Sequence, residues 1–379
     1  MKYIFFLSGD YVELGREEIA SLFDLDKCKI AGRVVIAGLN NDEKSINKIF
    51  KRLSLTKNIY RYLFECKIDD LTEAMKSYDW KSVYDGSFCL RIEKLNENVK
   101  ETAVTDGYNS GKHIKEKSNE KINKNTHSRN RLSEKNLSGY IWRKLNNPKV
   151  DLKNPKTLIQ IFVSKNKVYC GLLIYSNKED FDKRKSHNRP FPHPSSLHPK
   201  VARALINLTG IKEDEVLFDP FCGTGGFLIE SGLMGIRSIG YDINKTMIKG
   251  CIDNLKYFKI SSSKVKRQNA LKITDKFDCA VTDLPYGLNS NVISELHSGS
   301  WKKGRINKKI QKDDFTRDLE EFYLQFLKNL RKKLGKKAVI VFPDYANYRK
   351  LLKQSKFRIE FEFSNYVHGS LTRKMVKIR

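Results

Sequence analysis

A glycine-rich turn in the second half of the chain has the residue types of a cofactor site. The stretch VLFDPFCGTGGFLIESG reads as a strand that ends in Asp219, a turn that contains Gly223 and Gly225, and a helix. Glycines let the backbone turn sharply and come close to a ligand. The dinucleotide-binding pattern needs a glycine where Leu228 stands, and the Gly-Lys-Ser/Thr of a phosphate-binding loop is absent. The turn therefore predicts a ligand that presents an amine near Asp219, not a pyrophosphate.

Two further polar residues follow the predicted strands that come next. Asp242, in IGYDIN, stands where a carboxylate accepts hydrogen bonds from both hydroxyls of a ribose. Asn269, in KRQNALKI, can face an adenine amino group through its carbonyl oxygen. An adenosine with an amino-acid tail satisfies all three positions, so the sequence predicts S-adenosylmethionine as the cofactor. The competing interpretation is a generic doubly wound turn with incidental acids.

The hexapeptide TDLPYG follows an apolar run that reads as the fourth strand of the same sheet. Ligands bind outside the carboxyl ends of such strands, so we expect Asp283 to face the transferred methyl group. A carboxylate and a backbone carbonyl can together accept the two N–H groups of an exocyclic amine. Pro285 stiffens the turn, and Tyr286 offers a flat face on which a base can stack. These three residues are the predicted catalytic group, and an ordinary strand-to-loop turn is the alternative.

Several segments together resemble one family of methyltransferases. TDLPYG is similar to the amino-methyltransferase signature Asp/Asn-Pro-Pro-Tyr/Phe, with Leu284 in place of the first proline. With RPFPHPSSLHPKVARALINL, DPFCGTGG and YVHGSLTRK, it resembles the archaeal THUMP-domain tRNA guanosine-10 N2-methyltransferases, which are related to the eukaryotic guanosine-10 enzymes. SGDYVELGREEIASLF and VDLKNPKTLIQIFVSKNKVYCGLLI are similar to that family's N-terminal segment and to the end of its THUMP domain. The likeness covers most of the chain except 98–135 and 290–313.

The resemblance implies a THUMP module that docks on tRNA and a catalytic domain that methylates N2 of a guanosine, at position 10, once or twice. Asp283 would hold the guanine amine and Tyr286 would stack. Leu284 keeps the backbone carbonyl that a proline would offer but loses its rigidity, and Asn269 stands where an aspartate is usual. The implied cofactor-binding residues are Asp219, Phe221, Gly223, Gly225, Asp242, Asn269, Ser195, Leu197 and Pro199.

The alternation of predicted strands and helices gives the elements that must position these residues. Residues 195–379 predict a Rossmann-like methyltransferase domain of the α/β class, a doubly wound parallel sheet closed by a C-terminal antiparallel hairpin. Residues 1–176 predict an α+β region with the THUMP domain, and 177–194 a linker. The polar, basic segment 98–135 predicts a flexible insertion. The basic segment 299–312 predicts a flexible flap over bound RNA, and a solvated insertion is the alternative.

Composition indicates an anionic partner. The chain has 72 Lys and Arg against 44 Asp and Glu, a net charge of +28, which favours nucleic acid over a merely lysine-rich protein. Seven cysteines are spread singly, so neither a disulfide framework nor a metal site is predicted. No run approaches the roughly 20 apolar residues of a membrane span, and the N-terminal apolar run is too short for a signal peptide. We expect a soluble, cytoplasmic monomer without a metal.

Three other functions stay open on the sequence. A related enzyme could act on tRNA guanosine 6 instead of guanosine 10. A DNA adenine amino-methyltransferase shares the acid-Pro-Tyr pattern but needs a DNA-reading domain, which the first half of the chain does not resemble. A non-catalytic tRNA-binding protein would have no use for intact cofactor and amine positions.

Overall fold

The computed structural model describes residues 1–26, 28–40, 43–95, 132–194, 196–286, 310–368 and 371–379. The strands are β1 Lys2–Leu7, β2 Lys29–Ala31, β3 Val34–Gly38, β4 Thr56–Lys67, β5 Phe88–Lys94, β6 Thr157–Ser164, β7 Lys167–Ser176, β8 Val216–Asp219, β9 Arg237–Asp242, β10 Ser263–Arg267, β11 Cys279–Asp283, β12 Ala338–Pro343, β13 Ile359–His368 and β14 Leu371–Ile378. The helices are α1 Val12–Phe23, α2 Glu43–Arg52, α3 Leu71–Ser77, α4 Glu134–Trp142, α5 Pro199–Leu208, α6 Gly226–Leu233, α7 Lys245–Tyr257, α8 Ile310–Lys333 and α9 Tyr348–Gln354.

The chain divides into two compact units. Unit 1 comprises Met1–Gly9, Lys27–Asn41 and Thr56–Ser176, and unit 2 comprises Asp10–Asp26, Asp42–Leu55 and Asn177–Arg379. This grouping differs from the boundaries expected from the sequence, because α1 and α2 belong to unit 2. Leu14 of α1 and Leu55 after α2 lie in the same buried cluster as Leu205 of α5, which accounts for the grouping. The domain boundaries stay a prediction.

Unit 1 is built on a seven-stranded sheet in the order β2-β3-β1-β4-β7-β6-β5. Neighbouring strands are antiparallel except the β5–β6 pair, which is parallel. Helices α3 and α4 share a buried cluster with residues of β5 and β6. The fully buried Trp80 belongs to this cluster, and its indole N–H donates to the carbonyl of Met75 at 2.8 Å. Of the predicted insertion, 98–131 lie outside the described residues, and α4 begins at Glu134 after an N-cap at Ser133.

Unit 2 contains a second seven-stranded sheet in the order β10-β9-β8-β11-β12-β14-β13. The strands from β10 to β12 are parallel, and β14 runs antiparallel to both its neighbours. The predicted doubly wound sheet with a C-terminal hairpin is therefore confirmed. The chain order reverses at β8, with β9 on one side and β11 on the other, and such a reversal opens a crevice at the carboxyl ends of the strands. Strands β8, β9 and β11 end in Asp219, Asp242 and Asp283.

The segment 177–194 is folded within unit 2, which differs from the predicted linker. Two short 3-10 turns occupy Asp182–Arg184 and Ser186–Asn188, and Phe181 is buried. Arg184 pairs with the buried Glu230 of α6 at 2.8 Å, and Arg203 of α5 pairs with the same carboxylate at 2.9 Å. We name residues 177–198 the strap. No helix within the described ranges is long and apolar enough to cross a membrane.

Candidate active site

The turn after β8 requires glycine at one position for two independent reasons. Gly225 has a φ of 87°, and a Cβ added there would lie 2.7 Å from Sγ of Cys251 on α7. Gly223 has a φ of 51°, and no described atom lies within 4 Å of a Cβ built on it. The turn thus packs tightly against α7 at Gly225 and leaves space at Gly223, as a ligand-facing turn requires.

Asp219 is the most deeply buried acid at these strand ends, with 2% of its surface exposed. Its Oδ1 accepts hydrogen bonds from the Thr282 hydroxyl at 2.8 Å and from the Phe221 amide at 3.2 Å. Burial raises the pKa of Asp219 to about 8, and the negative charges of Asp242 and Asp283 add to the rise while the two hydrogen bonds oppose it. Such a cluster of acids favours a cationic ligand, and a sulfonium with an ammonium group fits it.

Asp242 joins the end of β9 to the glycine turn. Its Oδ2 accepts from the Gly223 amide at 3.0 Å, and its Oδ1 accepts from the Asn244 amide at 2.8 Å. A carboxylate oxygen can accept more than one hydrogen bond, so these two contacts are compatible with ribose hydroxyls as further donors. The side-chain oxygen of Asn269, expected to face the adenine amino group, is already engaged within its own turn. Its Oδ1 accepts from the Leu271 amide at 2.8 Å. Only the second lone pair of that oxygen can serve adenine.

The remaining predicted cofactor residues have distinct surroundings. Phe221 packs edge-on against Phe322 and Phe326 of α8, with ring centroids 5.9 and 5.0 Å away. Leu197 and Pro199 line a cavity of about 470 Å³ together with residues 185–187, 192–194, 196 and 198, a volume within the range of small-molecule sites. Ser196 Oγ lies 3.5 Å from Thr224 Oγ1, so this cavity adjoins the glycine turn. Ser195 lies outside the described residues.

Asn254 on α7 connects the strap to the glycine turn, a role the sequence reading missed. Its amide oxygen accepts from the Phe191 amide at 2.9 Å, and its amide nitrogen donates to the carbonyls of Phe191 and Thr224, both at 3.0 Å. One turn earlier, a Cβ added to Gly250 would lie 2.3 Å from the Phe191 ring. This face of α7 therefore holds the strap against the turn.

The acid-Pro-Tyr turn after β11 forms a small polar network. Asp283 Oδ1 accepts from the Tyr286 hydroxyl, and Asp283 Oδ2 lies 3.6 Å from Nη2 of Arg373 on β14. Burial raises the pKa of Asp283 to about 6, while the Arg373 charge and the Tyr286 hydrogen bond oppose the rise. Leu284 is buried, and its amide donates to the Val341 carbonyl at 3.1 Å, so this position extends the sheet.

Two other tyrosines fix the backbone of this turn. The Tyr323 hydroxyl of α8 donates to the Pro285 carbonyl, and the Tyr345 hydroxyl donates to the Tyr286 carbonyl at 2.9 Å. The flat face expected for Tyr286 is partly engaged, because Arg373 Nε donates to its hydroxyl at 3.2 Å and the guanidinium lies 5.7 Å from the ring centroid. The sequence contains YVHGSLTRK as a segment of the resemblance, but no local pattern signals that its arginine reaches Asp283.

Comparison with known proteins assigns the chain to a family. Residues 186–296 match the family described as the RMKL-like methyltransferase domain, and residues 65–173 match the THUMP domain. The tRNA (guanine(10)-N2)-dimethyltransferase of Methanothermobacter thermautotrophicus is 30% identical over an alignment of 383 positions, which covers 98% of this chain and 98% of that protein. The chain belongs to the tRNA (guanine(10)-N2)-dimethyltransferase family. The predicted THUMP domain and methyltransferase domain are confirmed by this membership.

Two further relatives show how far along the chain the likeness extends. The tRNA (guanine(10)-N2)-dimethyltransferase of Pyrococcus abyssi is 28% identical over 95% of this chain and 94% of that protein. The tRNA (guanine(6)-N2)-methyltransferase of Methanocaldococcus jannaschii is 22% identical over 59% of this chain and 64% of that protein. The likeness to the dimethyltransferase family thus extends over more of the chain than the likeness to that guanine-6 enzyme. Within the described ranges, no three His, Cys, Asp or Glu side chains form a group that could hold a metal ion.

Proposed function

We propose that this protein transfers a methyl group from S-adenosylmethionine to the exocyclic N2 of a guanosine in tRNA. One observation carries the proposal: three acids end three neighbouring parallel strands around a glycine turn, in a chain that matches a tRNA (guanine(10)-N2)-dimethyltransferase from end to end. The enzyme class follows from the family. The residue roles below are inferred from geometry.

The cofactor, when bound, supplies an electrophilic methyl group on a positively charged sulfur. Asp242 is placed to accept the ribose hydroxyls, and Asp219 lies where a ligand amine would compensate its buried charge. Leu197 and Pro199 wall the adjoining cavity, and Phe221 and the two glycines shape the turn. Asn269 offers one remaining lone pair to the adenine amine. Ser195 keeps its predicted place in this set.

Asp283 is the residue proposed to hold the guanine amine. With a pKa of about 6 it is mainly ionised at neutral pH, so it can accept an N–H of the amine and orient the nitrogen lone pair toward the methyl group. Since the positive charge on sulfur disappears in the transfer, orientation contributes more than a strong base. The Tyr286 hydroxyl now donates to Asp283 Oδ1, and an incoming amine must share or replace it.

The base must reach this turn outside its helix. A stacked guanosine in tRNA cannot present N2 to a strand-end carboxylate, so it has to leave its stack. Tyr286 is proposed to receive the base by stacking, with Pro285 fixing the bend through the carbonyl that Tyr323 holds. Of the predicted flap at 299–312, residues 299–309 lie outside the described residues. Its role over RNA stays a prediction.

We assign position 10 because the relatives that match nearly the whole chain carry that name. Guanosine 6 is the second candidate, supported by a relative that covers less of the chain at lower identity. The transfer of one or two methyl groups stays a prediction. A DNA adenine substrate finds no support beside a THUMP domain. Cytoplasmic location, which a tRNA substrate favours, and a monomeric state both stay predictions.

Nucleoside mapping tests this function directly. Unmodified tRNA is incubated with cofactor labelled in the methyl group, and the expected product is N2-methylated guanosine at position 10. Label at guanosine 6 would move the assigned site from position 10 to position 6, and label on no guanosine would overturn the proposed function.

Asp283→Ala should lower transfer by about 100-fold or more and leave cofactor affinity unchanged, because only the amine contact is lost. Asp214→Ala, an exposed acid at the amino end of β8, is the matched control with unchanged activity.

A further inference from the structure

Arg373 contacts both side chains of the acid-tyrosine pair, and neither the sequence motifs nor the family match gives it a role. Its Nη2 lies 3.6 Å from Asp283 Oδ2, and its Nε donates to the Tyr286 hydroxyl at 3.2 Å. The side chain is 8% exposed. Since Tyr286 in turn donates to Asp283 Oδ1, the three residues form a closed ring of contacts.

We propose that Arg373 is a positioning residue that keeps Asp283 ionised and fixes both of its carboxylate oxygens for the amine. This inference rests on the proposed function of Asp283. Tyr286 engages Oδ1 and Arg373 faces Oδ2, so the plane of the carboxylate is defined from two sides. A carboxyl group that became neutral would donate one hydrogen bond and lose an acceptor that the amine needs.

The surroundings of Asp283 explain why a cation is required there. Burial disfavours the carboxylate, and the Arg373 charge and the Tyr286 hydrogen bond oppose that effect. The titratable groups that act on Asp283 from the packed elements are Asp219 of β8, Tyr286 of the turn, Tyr323 of α8 and Arg373 of β14. Of these four, Arg373 alone carries a positive charge. Its charge therefore opposes the effect of desolvation.

The sheet, not a loop, sets the position of this guanidinium. Strand β14 pairs with β12 from Ile378 to Arg373, where Arg373 is the register partner of Pro343. Strand β12 pairs in turn with β11, whose last residue is Asp283. Arg373 and Asp283 are thus held two strands apart in one continuous ladder, which makes their separation a property of the fold. A side chain on such a rigid element can position a reacting group closely.

The test measures kcat/KM for tRNA against pH in Arg373→Met, Arg373→Lys and the wild type. In the wild type we expect the acidic limb near the Asp283 pKa of about 6. Without the cation the carboxylate is less favoured, so in Arg373→Met the limb should move to higher pH by about one unit or more. Activity should then recover on the alkaline side, with cofactor affinity unchanged. Arg373→Lys should return the limb toward the wild-type position while kcat stays reduced, because one ammonium cannot replace both guanidinium contacts.

The control is Lys374→Met, the next residue of β14, whose ammonium donates to Ser364 and which should leave the profile unchanged. A pH-independent loss in Arg373→Met, or loss of cofactor binding, would show a structural role and overturn the proposal. The carboxyl of Asp283 can also be titrated by NMR in the protein without tRNA. A higher pKa in Arg373→Met supports the inference even if the substrate assignment fails, and an unchanged pKa refutes it even if guanosine is methylated.

Discussion

Asp219 gives a residue-scale prediction about cofactor binding. Because its pKa is raised to about 8, most of this carboxyl is protonated near neutral pH in the free protein. A ligand ammonium beside it favours the ionised form, so cofactor binding should release close to one proton at about pH 7. Calorimetry in two buffers of different ionisation enthalpy measures the number of protons released.

Asp219→Asn is the matched variant for this experiment, since it keeps the shape of the side chain and cannot release a proton. Its cofactor affinity should fall, and the buffer dependence should vanish. A wild-type protein that shows no buffer dependence would contradict the role given to Asp219. The raised pKa of Asp219 also makes folding stability depend on pH. The contribution of this group is fully present below its ordinary pKa of 3.8, and it is lost as the pH rises through about 8.

At the same scale, the acids of the site could be predicted from sequence and their partners could not. Asp219, Asp242 and Asp283 each end an apolar run, and parallel strands of a doubly wound sheet bring such ends to one edge. Arg373 comes from the C-terminal hairpin, and its contact with Asp283 depends on the register of β14 against β12. A shift by one residue would turn the side chain to the other face, and no local pattern encodes that choice.

Helix α7 gives a prediction at the scale of an element. Gly250 and Asn254 lie one turn apart and hold Phe191 of the strap, whose ring would be 2.3 Å from a Cβ at Gly250. Gly250→Ala should therefore displace the ring, destabilise the protein by about 1–3 kcal/mol and weaken cofactor binding at the adjoining cavity. Thermal unfolding and cofactor titration measure the two effects.

Gly139→Ala in α4 is the matched control, because no described atom lies within 4 Å of a Cβ there. Helical alanine in open space should stabilise by about 0.5–1 kcal/mol and leave cofactor affinity unchanged. If Gly250→Ala behaved like Gly139→Ala in both measurements, the packing of the strap on α7 would have no part in the cofactor site.

The strap also shows where sequence patterns stop being informative about elements. Its composition is that of a linker, and the chain is polar between the aromatic residues. Tertiary contacts order this segment. Glu230 lies buried in α6 and forms ion pairs with Arg184 of the strap and Arg203 of α5. Long-range ion pairs of this kind can order a segment whose polar composition predicts a linker. The strongly periodic strands and helices of the same unit are predictable, because their own apolar pattern determines their secondary structure.

Charge is the property that belongs to the whole molecule. The excess of 28 positive charges has no counterpart in the cofactor site, where acids gather, so it is available for a polyanion. Binding of tRNA through phosphates releases counterions, and its affinity should fall by about tenfold or more between about 50 and 200 mM salt. Cofactor affinity, which we attribute to short contacts at the proposed site, should change far less over the same range. Filter binding of tRNA and calorimetry of the cofactor measure the two responses. A tRNA affinity as insensitive to salt as that of the cofactor would mean that the excess of basic residues takes no part in substrate binding.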